Sequence, residues 1–290
     1  MKNIQVLILT LFFCLGSDLI AGENKLISLY DNIGDMEEAI PDWGFAVLIQ
    51  YNGKMILFDG GASASILQHN AGILEVDLKN VDIAILSHSH FDHLSGLDYL
   101  LKVNPDVEIF LPNDWTLGAG HSQESLENNK KYKRGYRFPE ANITFVGEST
   151  EIGPGMSIIA TSSSLTGWFF KYPPYQTEPA LRGLPELSLA IQGEDEAIIL
   201  VVGCSHSGIE NIVRETGQYL EQKVTGIAGG FHLGPYSPEY ISDVAKLMKD
   251  ELHVNWVAPT HCTGDAAREV FKTVFEQDNK DFGLGYSIVF

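Results

Sequence analysis

Seven consecutive residues, Ser87-His88-Ser89-His90-Phe91-Asp92-His93, bring three imidazoles and a carboxylate together directly after the apolar run Val81-Asp82-Ile83-Ala84-Ile85-Leu86. Imidazole nitrogen and carboxylate oxygen are donors that zinc and related divalent ions take, and so dense a set can supply parts of two adjacent coordination spheres. In an extended segment residues i and i+2 share a face, so His88 and His90 can close on one ion. Asp92 and His93 follow where the chain must turn into a helix expected from Leu94 to Val103, which directs them to a second ion beside the first. The competing reading is a run of solvated histidines at a strand end. It would place three of the chain's nine histidines there without chemical purpose.

The elements that position such a site are strands. Leu26 to Tyr30, Phe45 to Tyr51, Met55 to Phe58, Val81 to Leu86 and Val107 to Leu111 are short apolar runs. Asn52-Gly53 between the second and third of them is a hairpin signal, and the third runs into Asp59-Gly60-Gly61. Further on, Leu187 to Gln192 and Ala197 to Val202 form a second hairpin whose latter strand enters Gly203-Cys204-Ser205-His206-Ser207-Gly208. Val224 to Ala228 leads into Gly229-Gly230-Phe231-His232-Leu233, and Trp256 to Ala258 leads into Pro259-Thr260-His261-Cys262-Thr263-Gly264. Three strands after the first motif thus each end in a glycine- or proline-marked turn bearing one histidine, His206, His232 or His261. Strand ends at one edge of a layered fold are where a site is assembled. Helical spacing of Ile209, Ile212, Val213, Tyr219 and Leu220, a Ser237-Pro238 helix start and a helix capped by Asp265 fill the intervals. The alternation of strands and helices indicates an α/β chain of sheets covered by helices. The polar stretch from Trp115 to Pro139 and the aromatic, proline-bearing stretch from Ser162 to Pro185 are expected to be loops over the site.

A length of 290 residues with 44% hydrophobic and 20% charged residues suits a globular chain with a sizeable core. The formal charge of −19, from 38 acidic and 19 basic residues, opposes a polyanionic partner, so a small-molecule substrate is expected and a nucleic acid is not. One basic cluster, Lys130-Lys131-Tyr132-Lys133-Arg134 with Arg137, is either a solvated loop or a local attraction for a phosphate or carboxylate. Lys2, an apolar stretch from Val6 to Leu15 and the small pair Ala21-Gly22 read as an export signal over residues 1–22, leaving 23–290 as one domain. That stretch is short for a membrane span, which takes about 20 residues. Stable membrane insertion is therefore not expected, and the mature chain is expected to be periplasmic or secreted. Cys204 and Cys262 remain after Cys14 is removed, as metal ligands, as a disulfide or as inert buried thiols.

The segment His88-Ser89-His90-Phe91-Asp92-His93 resembles the HxHxDH mark of the metallo-β-lactamase superfamily, and Phe58-Asp59-Gly60-Gly61 resembles that superfamily's early aspartate turn. Closer still, Gly203 to Ile209, Gly229 to Leu233 and His261 to Gly264 resemble the branch named after dihydropterin ribofuranosylaminobenzene phosphate synthase, over about Leu26 to Phe290. The resemblance implies a four-layer αβ/βα sandwich with a metal pair at one edge of its two sheets. It implies that His88 and His90 hold one ion while Asp92, His93 and His261 hold the other, and His206 is the candidate for completing the first sphere. The wider superfamily usually has a third-ligand histidine in a region where this chain has none, between His121 and His206. Cys204 occupies the turn where an aspartate is usual, so Cys204 or His206 is the candidate bridge. His232 is expected either to bind metal or to donate to the substrate.

The expected chemistry is hydrolysis by a metal-bound hydroxide at a dinuclear zinc-type centre, with manganese or iron as other occupants. A divalent ion can bring the pKa of bound water to about 7. Asp92 would coordinate and orient that water, His232 would contact substrate, and Asp59 would fix the tautomer of a ligand histidine. A small phosphoester or phosphodiester is the first substrate class. A synthase-like transferase, a β-lactamase-like amidohydrolase, an iron redox enzyme and a non-catalytic metal-binding protein are the alternatives. Trp168, Phe169, Phe170, Tyr172 and Tyr175 are expected either to stack on a substrate ring or simply to pack.

Overall fold

The computed structural model describes residues 23–114, 117–119, 141–161 and 184–290. The leader reading of 1–22, the basic cluster and the aromatic run after Trp168 lie outside these residues. Among the described residues no helix is long and apolar enough to cross a membrane.

Thirteen strands build two sheets among the described residues. The first sheet contains β1 (Lys25–Tyr30), β2 (Ala46–Tyr51), β3 (Lys54–Phe58), β4 (Ile83–Ile85), β5 (Glu108–Pro112), β6 (Asn142–Val146) and β13 (Ser287–Val289), in the order β13-β1-β2-β3-β4-β5-β6. Antiparallel pairing prevails from β13 to β3, and parallel pairing from β3 to β6. The second sheet contains β7 (Thr150–Gly153), β8 (Met156–Ala160), β9 (Leu187–Gln192), β10 (Ile198–Val202), β11 (Val224–Gly230) and β12 (Trp256–Thr260), ordered β12-β11-β10-β9-β8-β7. Its β10, β11 and β12 run parallel.

Side-chain alternation explains the layering. In β2, Val47 and Ile49 face a central core shared with Ile158, Leu189, Ile191 and Val201 of the second sheet, whereas Ala46 and Leu48 face an outer cluster with Leu67, Leu97 and Leu100. That outer cluster holds the helices α1 (Ala64–Ile73) and α3 (Leu97–Val103). On the far side, Leu200, Val202 and Ile227 pack under α4 (Ile209–Leu220), α5 (Pro238–Lys246) and α6 (Asp265–Phe275). Helix, sheet, sheet, helix is the four-layer α/β sandwich expected.

Two local expectations are corrected. The helix expected from Leu94 to Val103 is divided into a single turn α2 (Phe91–Leu94) and α3. The break is set by Gly96, whose backbone passes so close to Gly60 that a Cβ would lie 1.7 Å from the Gly60 carbonyl oxygen. Asp265 does not cap α6; Gly264 is the cap residue, and Asp265 is the first helical residue, with its carboxylate paired to Arg268 at 2.6 Å. Ser237 does cap α5, accepting from the Tyr240 N–H.

Candidate metal centre

Five strand ends converge. Asp59 follows β3, the Ser87–His93 segment follows β4, Cys204 and His206 follow β10, His232 follows β11 and His261 follows β12. Four of the residues at these ends, Asp59, Ser205, His232 and His261, have φ between 47° and 61°. The chain therefore reverses in the left-handed region immediately beyond the sheet, where Asp and His are among the better tolerated non-glycine residues. The α2 turn is pinned from beneath: Gly60 N–H donates to the His93 carbonyl (2.7 Å) and Phe45 N–H to the Asp92 carbonyl (3.1 Å).

The hydrogen bonds fix which imidazole nitrogens face inward. Asp59, fully buried, accepts from Ser87 N–H (2.7 Å), from the Ser87 hydroxyl (2.7 Å) and from His93 Nδ1 (2.6 Å). Because the Ser87 hydroxyl proton goes to Asp59, the 2.8 Å contact between Ser87 Oγ and His88 Nδ1 requires His88 Nδ1 to donate. His261 Nδ1 donates likewise to the Asn32 amide oxygen at 3.0 Å. Three imidazoles thus have Nδ1 tied and turn Nε2 inward, the nitrogen through which such a histidine ligates a metal once Nε2 gives up any proton it carries.

Those inner atoms lie close together. His88 Nε2 is 3.0 Å from His90 Nδ1, His93 Nε2 is 3.1 Å from Cys204 Sγ, and Asp92 Oδ2 is 3.5 Å from His261 Nε2 and 3.8 Å from His93 Nε2. The donor atoms form overlapping groups, with members of each no more than 4.8 Å apart: His88, His90 and His206; Asp92, His93 and His261; His88, His93 and Cys204; Cys204, His206 and His232; and Cys204, His261 and Cys262. Every residue that sequence reasoning placed at the site is therefore here, with Asp59 behind the donors rather than among them. The donor set, imidazole, thiol and carboxylate gathered in groups within 4.8 Å of one another, fits a divalent metal ion.

The electrostatics favour cations. Burial alone would depress the pKa of His93, but Asp59 and then Asp92 outweigh it and lift it to about 9; a field that holds a proton on that ring equally favours a metal ion. Burial works against the Asp92 carboxylate, yet the hydrogen bond from His261 and the charge of His93 hold it well below the usual carboxylate range. His88 and His206 are pushed well below the ordinary histidine value by burial, and then by neighbouring imidazoles, His93 for the first and His232 for the second. For His232, burial is outweighed by a hydrogen bond with Cys262 and by the charges of Cys262 and Glu186, so its pKa rises.

Several participants escaped sequence reasoning. Glu186 is fully buried and accepts the backbone N–H groups of His206 (3.1 Å) and Ser207 (3.2 Å), holding the His206 turn; burial raises its pKa to about 7. Asp31 accepts from the Thr260 hydroxyl at 2.6 Å and so supports the residue before His261. Asp31-Asn32 directly follows β1 at the same sheet edge, which is the signal that would have found the pair. Trp43 and Phe91, 50% and 56% exposed, flank a cavity of about 380 Å³ that also reaches Asp92, His206, Cys204 and Cys262. The Trp43 ring lies 4.9 Å from that of His261. Cys204 and Cys262 are free, buried thiols, not a disulfide.

Comparison with known proteins agrees with this geometry. A model described as the metallo-beta-lactamase superfamily matches residues 41–167, which include Asp59 and the Ser87–His93 segment. The 7,8-dihydropterin-6-methyl-4-(β-D-ribofuranosyl)-aminobenzene-5′-phosphate synthase of Methanocaldococcus jannaschii is 30% identical over 262 residues, 85% of this chain and 88% of that protein. Among solved structures, a metal-dependent hydrolase of the β-lactamase superfamily matches with a TM-score of 0.71 at 25% identity, over 92% of this chain and 99% of its own. A diphosphatase of the PhnP family shares the fold at 13% identity, with a TM-score of 0.54 over 92% of this chain and 97% of its own.

Proposed function

The chain belongs to the metallo-β-lactamase superfamily, and on that premise we propose that it is a metal-dependent hydrolase of small phosphoesters or phosphodiesters, working with two divalent ions of the zinc type. The observation that carries the reading is the convergence of tautomer-fixed Nε2 atoms of His88, His93 and His261 on Asp92 and Cys204. His88, His90 and His206 would hold one ion, and Asp92, His93 and His261 the other, with Cys204 reaching toward both. Bound there, such ions supply Lewis acidity and lower the pKa of water to about 7, giving a nucleophile at neutral pH.

The chain's own residues do the rest. Asp59 keeps two imidazoles in the ligating tautomer. Asp92, ionised across the working pH range, can both ligate and accept a proton from water. His232, with its raised pKa, presents an N–H to a substrate oxygen that gains charge during attack. The 380 Å³ cavity behind Trp43 and Phe91 suits a small molecule. The solved hydrolase at a TM-score of 0.71 supports the reaction class. The leader reading of residues 1–22 adds an exported location, which N-terminal sequencing of the mature chain checks.

The test is elemental analysis of freshly purified protein together with turnover of bis-p-nitrophenyl phosphate before and after chelation. Close to two zinc or manganese ions per chain with chelator-sensitive turnover is the expected result; metal-free protein with undiminished turnover would refute it. A second reading, transfer to an acceptor other than water, is favoured by the synthase relative. Its mark would be an organic acceptor that diverts the phosphoester substrate away from simple hydrolysis product.

A further inference from the structure

We propose that Cys204 and Cys262 form an oxidation site, a dithiol that closes to a disulfide and thereby weakens the metal cradle. The proposal rests on the metal reading above for its consequence, though not for the chemistry of the pair. Cys204 lies two residues beyond β10 and Cys262 two beyond β12, with only β11 between them. The end of β11 at that point is Gly230, where a Cβ would stand 2.7 Å from Cys262 Sγ and 3.5 Å from Cys204 Cα. The missing side chain is therefore what lets the two thiols meet over the strand that separates them. Cys262 Sγ is 3.7 Å from the Cys204 carbonyl oxygen, and the two sulfurs are within 4.8 Å of one another. A sulfur–sulfur bond of about 2.05 Å requires both to close that gap by side-chain rotation.

Inert buried thiols are the ordinary fate of such residues. These two differ in that both line the cavity that opens between Trp43 and Phe91, so a small oxidant reaches them. With hydrogen peroxide the step balances. The Cys262 sulfur attacks one peroxide oxygen, the O–O bond breaks and water leaves, giving a sulfenic acid. The Cys204 sulfur then attacks that sulfur, the S–S bond forms, the S–O bond breaks and a second water departs with the remaining thiol proton. Two thiols are oxidised by two electrons and one peroxide is reduced to two waters. The consequence follows from position: Cys204 Sγ is 3.1 Å from His93 Nε2 and belongs to the group with His88 and His93. A thiolate brings a negative charge and a strong donor to an ion at that place, and a disulfide sulfur brings neither.

The experiment uses the full chain with Cys14→Ser, so that only this pair can react, metal-free and zinc-loaded, exposed to hydrogen peroxide. The expected result is joint loss of both thiols, a peptide pair linked through Cys204 and Cys262 by mass spectrometry, and recovery on reduction. Zinc titration of the oxidised protein should show binding weakened at least about tenfold, and the zinc-loaded form should oxidise more slowly. In Cys262→Ser, exposed to the same peroxide, no linked peptide should form and the fall in zinc affinity should be smaller than in the parent chain. Separate sulfinic or sulfonic acids with no linked peptide would overturn the proposal, as would a disulfide that leaves zinc affinity unchanged. A disulfide in a chain that binds no zinc in either state would uphold the oxidation site while refuting the functional reading.

Discussion

Asp59→Asn tests the hydrogen-bond logic of the centre most directly, because one buried carboxylate governs two imidazoles. In the native arrangement Oδ1 accepts from Ser87 N–H and Oδ2 accepts from both the Ser87 hydroxyl and His93 Nδ1. The amide oxygen of asparagine keeps the bond to Ser87 N–H, which leaves an NH2 group where Oδ2 stood. That NH2 can only donate. His93 must then present an Nδ1 lone pair and carry its proton on Nε2. Ser87, now accepting from the amide, turns its hydroxyl proton toward His88 Nδ1, which moves the His88 proton to Nε2 as well. One substitution thereby blocks an inward lone pair in each proposed coordination sphere. Loss of such an outer partner weakens metal binding about 10- to 100-fold, or ~1.4–2.7 kcal/mol per ion. Donors left unpaired during the rearrangement add about 1–3 kcal/mol of lost stability, within the reserve of a domain of this size. The assay is calorimetric zinc titration of metal-free protein, with near-ultraviolet circular dichroism to establish that the variant is folded. Both ions should weaken. A folded Asp59→Asn protein that takes up two zinc ions with native affinity would refute the reasoning.

Ser87→Ala should weaken the His88 ion alone, since His93 keeps its direct bond to Asp59; equal weakening of both ions in the same titration would contradict the relay. Glu186 gives a pH signature. Its folded pKa of about 7 lies above the ordinary 4.5, so the folded state holds that proton more tightly; the resulting stability is full below pH 4.5 and is lost as pH rises through about 7. The change is on the order of 3 kcal/mol. In urea unfolding of metal-free protein, the stability advantage of wild type over Glu186→Gln should therefore shrink across that window, and a constant difference would count against the assignment. Trp43→Ala removes a half-exposed ring, so stability should change by only about 0.5 kcal/mol. KM for an aryl phosphodiester should rise while KM for an alkyl one holds; a parallel change in both would remove the ring from substrate recognition.

Much of the layered fold is legible because its strands alternate and its turns are marked. Asn52 and Gly53, with φ of 49° and 78°, form the tight reversal that the Asn-Gly pair demands. The three histidine turns are visible because each follows an apolar strand and carries a glycine or proline. By contrast β6 shows only one buried residue in five, and its Phe145 is exposed, so neither period marks it as a strand. The supports of the site were hidden for another reason. Asn32 and Asp31 meet His261 and Thr260 across 229 residues, and no local pattern encodes that meeting. Glu186 is hidden by its place between the loop expected to end at Pro185 and the strand expected from Leu187, although a carboxylate beside a buried strand is itself a sign of backbone donors needing an acceptor.

What propensity rules miss at the centre is also what builds it. A strand that simply continued past β3, β10, β11 or β12 would carry alternate side chains away from the sheet edge. Left-handed residues at Asp59, Ser205, His232 and His261 turn the chain at once, at a cost of about 1–2 kcal/mol each. Nothing local repays that strain. It is offset by the bonds these turns make: Asp59 to Ser87 and His93, the Ser205 hydroxyl to the Gly230 carbonyl at 2.7 Å, and His261 to Asn32. The same geometry gathers imidazoles whose burial, and then whose neighbours, depress their protonation beside carboxylates that favour a positive partner, a balance that cations would complete. Metal binding should therefore stabilise the fold as well as equip it for chemistry. The midpoint of thermal unfolding should rise with zinc concentration, by an increment in free energy that grows as RT ln(1 + [Zn]/Kd). A midpoint indifferent to zinc in protein shown to bind it would mean that the strained turns are held by their hydrogen bonds alone.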